Sequence, residues 1–147
     1  MDPTNHFEVA VATYERCWEL LEQTSRTIEG DVELLTSAFD SRYHWTFVGG
    51  AVQTIWAYWM ISKAAAAVSE GSLAVAFAPR TNTEVREPSI DDWFVASTAE
   101  GLARPYAAVG MLQLRDEWDA INEGLVRMII DDEDRELIAS RLSTVPR

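Results

Sequence analysis

Apolar residues recur along this chain at steps of three, four and seven, and no stretch alternates apolar with polar in the manner of a half-buried strand. Phe7, Val11, Tyr14, Trp18, Leu21 and Ile28 make the first such face, with Glu15, Arg16, Glu19 and Glu22 largely off it. The spacing predicts a helix that begins between Pro3 and Asn5, with Asn5 and Glu8 as a capping box, and that Gly30 ends. Asp31 then caps a second helix, about 32–48, which shows two adjacent faces. One carries Leu35, Phe39 and Tyr43, the other Leu34, Ala38 and Trp45. Gly49-Gly50 breaks the run, and a third helix, about 51–69, is apolar nearly all round, as the central helix of a bundle would be.

A fourth helix is expected over 71–78, from Leu73 and Phe77, and Pro79 does not belong in its interior. Residues 80–88 are polar and aperiodic and read as a loop. Ser89 and Asp92 announce a fifth helix, about 90–109, with a kink at Pro105 and a stop at Gly110. Leu114, Trp118, Ile121, Leu125 and Met128 form the stripe of a sixth helix. A last helix, capped by Asp131 or Asp132, presents Leu137, Ile138 and Leu142. The pattern predicts one all-α domain over 1–147, a compact bundle of six or seven helices.

The stretch from Tyr43 to Val68 is the one the others are expected to wrap. Residues 45–62 are 18 positions without a formal charge, near the lower limit for a membrane span. Thr46, Gly49, Gly50, Gln53, Thr54 and Ser62 interrupt it, so a buried central helix is the better expectation. Composition narrows the partners. Net charge is −12 and pI about 4.4, which repels phosphate backbones and anionic lipid and makes nucleic acid and membrane surfaces poor partners. The one cysteine, Cys17, lies on an apolar stripe and reads as a small hydrophobe. The N-terminus lacks a basic region followed by an apolar run, so a cytoplasmic location is expected.

Helices three to six read as two helix-turn-helix units, about 51–78 and 90–130. The second contains AEGLARPYAAVG, with Ala103, Tyr106 and Gly110 at the small, aromatic and glycine positions of a repeat helix. The first has Trp59 as its large anchor, with Ala65 and Ser69 where the repeat would place an aromatic and a glycine. With the SRYHW segment and the C-terminal DDEDRELIASRLSTV, the chain resembles small actinobacterial tetratricopeptide-like proteins of unassigned activity. The resemblance implies paired helices and, with only two imperfect units, a compact bundle rather than an open superhelix.

Several constellations could carry chemistry. Tyr43, Trp45, Trp56, Trp59, Trp93 and Tyr106 could line an apolar or cation-binding pocket, or simply fill a core. Glu100, with Ala96 and Ala103 at helical spacing, is a candidate general acid or base if desolvated; its alternative is a surface pair with Arg104. Asp40 and His44, four apart, could form an oriented acid–base unit or an ordinary local bond. Lys63 could bind an acidic group of a ligand or snorkel to the surface. Two histidines without paired cysteines make no metal site, and no phosphate loop or dinucleotide fingerprint calls for a cofactor. Three readings follow. The first is a protein that holds a partner chain or a small hydrophobic ligand at the Trp-rich centre, as a homodimer or in a hetero-complex. The second is a cofactor-independent cyclase, isomerase or lyase of specialised metabolism, with Glu100, His44 or Asp40 moving protons. The third is an acidic inhibitor of a basic partner.

Overall fold

The computed structural model describes residues 1–78 and 103–147. Its elements are α1 (Pro3–Leu21), α2 (Ile28–Val48), α3 (Ala51–Ala67), α4 (Gly71–Phe77), a helical segment over 103–108, α5 (Leu112–Met128) and α6 (Asp132–Ser143). The protein is an all-α bundle, with no strand among the described residues. The loop expected at 80–88, the start of the fifth helix, Trp93, Glu100 and the kink expected where Pro105 opposes Gly101 lie outside the described residues.

The first helix is shorter than its apolar rhythm suggests. It stops at Leu21, because the polar run Glu22–Thr27 offers nothing to bury. Ile28 belongs to α2, whose N-cap is Thr27; the Thr27 hydroxyl accepts from the Gly30 amide. Gly30 therefore sits in the first turn of α2 rather than ending α1. At the other end of α1 the cap is Asp2, with Pro3 just inside it, and the expected Asn5–Glu8 box is not used.

The main core joins three helices. Cys17 and Leu20 from α1, Leu34 and Ala38 from α2, and Trp59, Met60, Ile61 and Ala64 from α3 bury one another, with Tyr14, Trp18, Leu35, Val68 and Phe77 around them. Burial pushes the Cys17 thiol up to about 12, as befits a residue that packs rather than reacts. Hydroxyls stitch the layers: Ser41 Oγ donates to the Ala10 carbonyl between α2 and α1, and Ser62 Oγ to the Ala74 carbonyl between α3 and α4. Gly49 is needed for space. A Cβ there would lie 2.7 Å from the Trp45 carbonyl oxygen and 3.0 Å from Gln53 Cβ. No helix among the described residues is long and apolar enough to cross a membrane.

Two helix ends close in the same way. After α3 the Ser69 amide donates to the Ala66 carbonyl and Glu70 to Ala65; after 103–108, Gly110 donates to Ala107 and Met111 to Tyr106. Ser69 and Gly110 both take left-handed backbone, with φ of 64° and 74°. Ser69 thus does a glycine's work at the cost of its Cβ. Ser69→Gly is expected to raise unfolding stability by about 0.5–1 kcal/mol, read by urea denaturation. A loss of stability would mean that the strain is relieved elsewhere.

α5, the sixth helix of the sequence pattern, keeps only part of its predicted stripe: Leu114, Trp118 and Leu125 are half-buried, Trp118 and Leu125 against core clusters. Ile121 and Met128 are exposed, and the buried row is Arg115, Asp119, Asn122 and Val126, about 100° around the helix from the expected line. The C-terminal tail turns this polar row inward: Arg115 donates to the Pro146 carbonyl, and Arg147 Nη1 lies 2.6 Å from Asp119 Oδ2. Desolvation raises the Asp119 pKa against the lowering by Arg147 and Arg115. In α6 the cap is Asp131, which accepts from the Asp134 amide, and Ile138 and Leu142 are buried while Leu137 is exposed.

Candidate functional site

Position along α2 decides what the sequence candidates can do. At about 100° per residue, Ile28, Val32, Phe39 and Tyr43 fall within about 60° of arc. That arc faces away from both α1 and α3. The side chains are 79, 58, 40 and 56% exposed, Phe39 lying edge-on to Phe77 of α4 with ring centroids 5.6 Å apart, and Phe47 continues the row at 55%. From Ile28 to Phe47 the row is about 28 Å long. Glu29 and Asp40 give the stripe an acidic flank, and Glu33 between them on that side is paired with Arg16 of α1, which donates to both its carboxylate oxygens. The opposite flank carries Arg42, whose guanidinium donates to Tyr58 and covers its ring.

The C-terminal end of this stripe holds the most unusual contact in the molecule. His6 and His44 are buried, 8 and 7% exposed, and their Nδ1 atoms lie 2.8 Å apart. The ring centroids are 4.9 Å apart, so the two nitrogens meet nearly head-on. Asp40 Oδ1 is 4.0 Å from His44 Nε2. One of the two Nδ1 atoms carries a proton and donates to the other, which accepts. Phe47 stacks on His6 with centroids 4.1 Å apart, and Tyr43 meets both His44 and Phe47 edge-on. Asp40 approaches His44 only to 4.0 Å, beyond hydrogen-bond distance, and the hydrogen-bond partner of His44 is His6 of α1. His6 was invisible to a reading by apolar stripes, because the buried row of α1 is His6, Ala10, Cys17 and Leu20, one position round from the aromatic row. The available signal was the heptad step from Ala10 to Cys17 extended back by four.

The tryptophans divide. Trp45 is buried against Ala10 and Ala57, and Trp59 is buried in the main core. Neither indole N–H has an acceptor among the described residues. Trp18 packs on Trp59, Tyr14 on Trp18 and Trp56, and Lys63 Nζ lies 5.0 and 5.4 Å from the Trp59 and Trp18 ring centres. Lys63 therefore lies against aromatic faces, in cation–π range of both. Burial raises the Tyr14 hydroxyl to about 12. Tyr106 is buried beside Ala103 on the 103–108 segment. Arg104, the partner considered for Glu100, reaches the C-terminal end of α6 through the Thr144 hydroxyl and the Arg141 carbonyl. Among the described residues no group of three or more His, Cys, Asp or Glu is gathered to hold a metal ion.

No protein-family model, curated protein or solved structure matches this chain.

Proposed function

We propose that this chain is a helical interaction protein that docks an amphipathic, basic-flanked helix of a partner along the outer face of α2. The carrying observation is the exposed row Ile28, Val32, Phe39, Tyr43 and Phe47, an apolar face on a molecule of net charge −12. Charge selects the occupant. In antiparallel pairing with a second copy, each α2 would set Glu29 and Asp40 against the same residues of its mate, while Glu33 is already compensated by Arg16. A partner helix with Arg or Lys beside its apolar seam removes that repulsion. The matching closures at Ser69–Glu70 and Gly110–Met111 support reading the helices on which they sit as repeat-like units of tetratricopeptide character.

The test uses a labelled amphipathic peptide of about 21 residues, with a leucine seam and Arg and Lys flanks, followed by fluorescence anisotropy. Binding of about micromolar order is expected, with Val32→Glu weakening it about tenfold or more. Val32 is exposed, so the same substitution should move unfolding stability by no more than about 0.5 kcal/mol. An acidic-flanked peptide that binds as well, or binding indifferent to Val32→Glu, counts against this face. A homodimer abolished by Val32→Glu would replace the hetero-partner.

One observation favours a second reading, a small ligand at the Trp-rich centre: among the described residues the buried indole N–H groups of Trp45 and Trp59 have no acceptor. A ligand carbonyl would supply one. Saturable quenching of tryptophan fluorescence by apolar ketones or amides, absent in Trp59→Phe, is the expected result; quenching that is linear in concentration removes this reading.

A further inference from the structure

We infer that occupancy of the α2 face is proton-linked through the His6–His44 pair, which acts as a latch between α1 and α2. The inference deepens the docking reading and rests on it for the ligand, while the latch itself is built from this chain alone. Its geometry is a single N–H···N bond between two buried imidazoles 2.8 Å apart. A first added proton fits: one ring takes it and still donates from Nδ1 to the other. A second does not. With both Nδ1 atoms protonated, two N–H groups point at each other and two cations share a buried site, so the hydrogen bond is lost and the rings separate. The covalent change is a proton taken from solvent onto the accepting Nδ1, and the N–H···N hydrogen bond is what it breaks.

Among the described residues, the titratable or charged groups facing the pair are Asp40 and Tyr43 from α2 and the Met1 amino group beyond the start of α1. Burial and then the His44 charge hold the His6 pKa below its ordinary 6.5. The unfolded chain accordingly takes up the proton more readily. The stabilising contribution is complete above 6.5 and is lost as pH falls through the lowered folded value. The consequence reaches the docking stripe because Phe47 is stacked on His6 and Tyr43 leans on both His44 and Phe47. When the imidazoles part, the C-terminal third of the stripe loses its support.

The experiment measures binding of the basic-flanked peptide, whose Arg and Lys do not titrate in the range, at about pH 7.5 and about pH 5. A loss of affinity of about tenfold or more is expected for the wild type. His6→Asn retains an N–H donor near the Nδ1 position without a titratable ring, and should bind equally at both pH values. Affinity that changes less than about twofold in the wild type, or that changes as much in His6→Asn, overturns the latch. A peptide that binds at neither pH removes the docking reading without deciding the latch, which is then read by hydrogen exchange of α1 first-turn amides, corrected for intrinsic pH dependence. Protection lost at about pH 5 in the wild type and kept in His6→Asn sustains it, and equal protection in both proteins at both pH values ends it.

Discussion

Leu34→Ala is expected to lower unfolding stability by about 3–4 kcal/mol. Leu34 is fully buried where α1, α2 and α3 meet, against Cys17, Leu20, Trp59 and Met60. Truncation removes the apolar transfer contribution and leaves a void lined by groups from three helices. These neighbours cannot all close on it. Cys17 is held through its thiol, whose Sγ lies 3.8 Å from the Leu34 carbonyl, and Trp59 is wedged against Trp18. Urea denaturation by circular dichroism reads the change as a lower midpoint at unchanged slope. A loss below about 1.5 kcal/mol would mean that the three-helix core collapses around the cavity and packs less rigidly than its burial implies.

Trp59 yields a paired result that separates core from site. Trp59→Ala is expected to cost about 3–5 kcal/mol, since the indole is buried and carries contacts to Trp18 and Lys63. Trp59→Phe should cost less than about 1.5 kcal/mol. The phenyl ring keeps much of the area and removes an indole N–H that has no acceptor among the described residues, so the usual penalty of a broken hydrogen bond is absent. Both are measured by denaturant unfolding, with the remaining tryptophans as probe. A Phe variant as damaged as the Ala variant would show that the N–H is held by a group that its surroundings do not reveal.

The helical class and most element boundaries in the first half were legible because they follow from local chemistry. The break at Gly49-Gly50, the apolar belt of α3, the start of α4 and the Asp131 cap each depend on residues within a turn of one another. Helix ends marked by polar hydroxyls were less legible. Thr27 was passed over in favour of Gly30 and Asp31, since a glycine signals an end in isolation while a capped first turn tolerates it. The face of α5 was misplaced for a different reason. Apolarity pointed to Ile121 and Met128, but the tail places Arg147 and the Pro146 carbonyl where Asp119 and Arg115 can be buried with partners.

The candidate site shows the same division. The Asp40–His44 spacing was readable on one helix, whereas His6 lies 38 residues from His44 and only the packing of α1 on α2 brings their Nδ1 atoms together. The sequence of α2 lists Ile28, Val32, Phe39 and Tyr43 as apolar, but a 3.6-residue rhythm cannot say which of two apolar faces a helix buries. By itself the chain determined that it forms amphipathic helices around a Trp-bearing centre, because helix periodicity and breaks are local. The tertiary structure alone decided that Leu34 and Ala38 turn inward while the Phe39–Tyr43 face stays exposed. It decided this because α1 and α3 can cover only part of the circumference of α2, and Ser41, Ser37 and His44 on the inner side find polar or small neighbours there that the bulkier outer row would not fit.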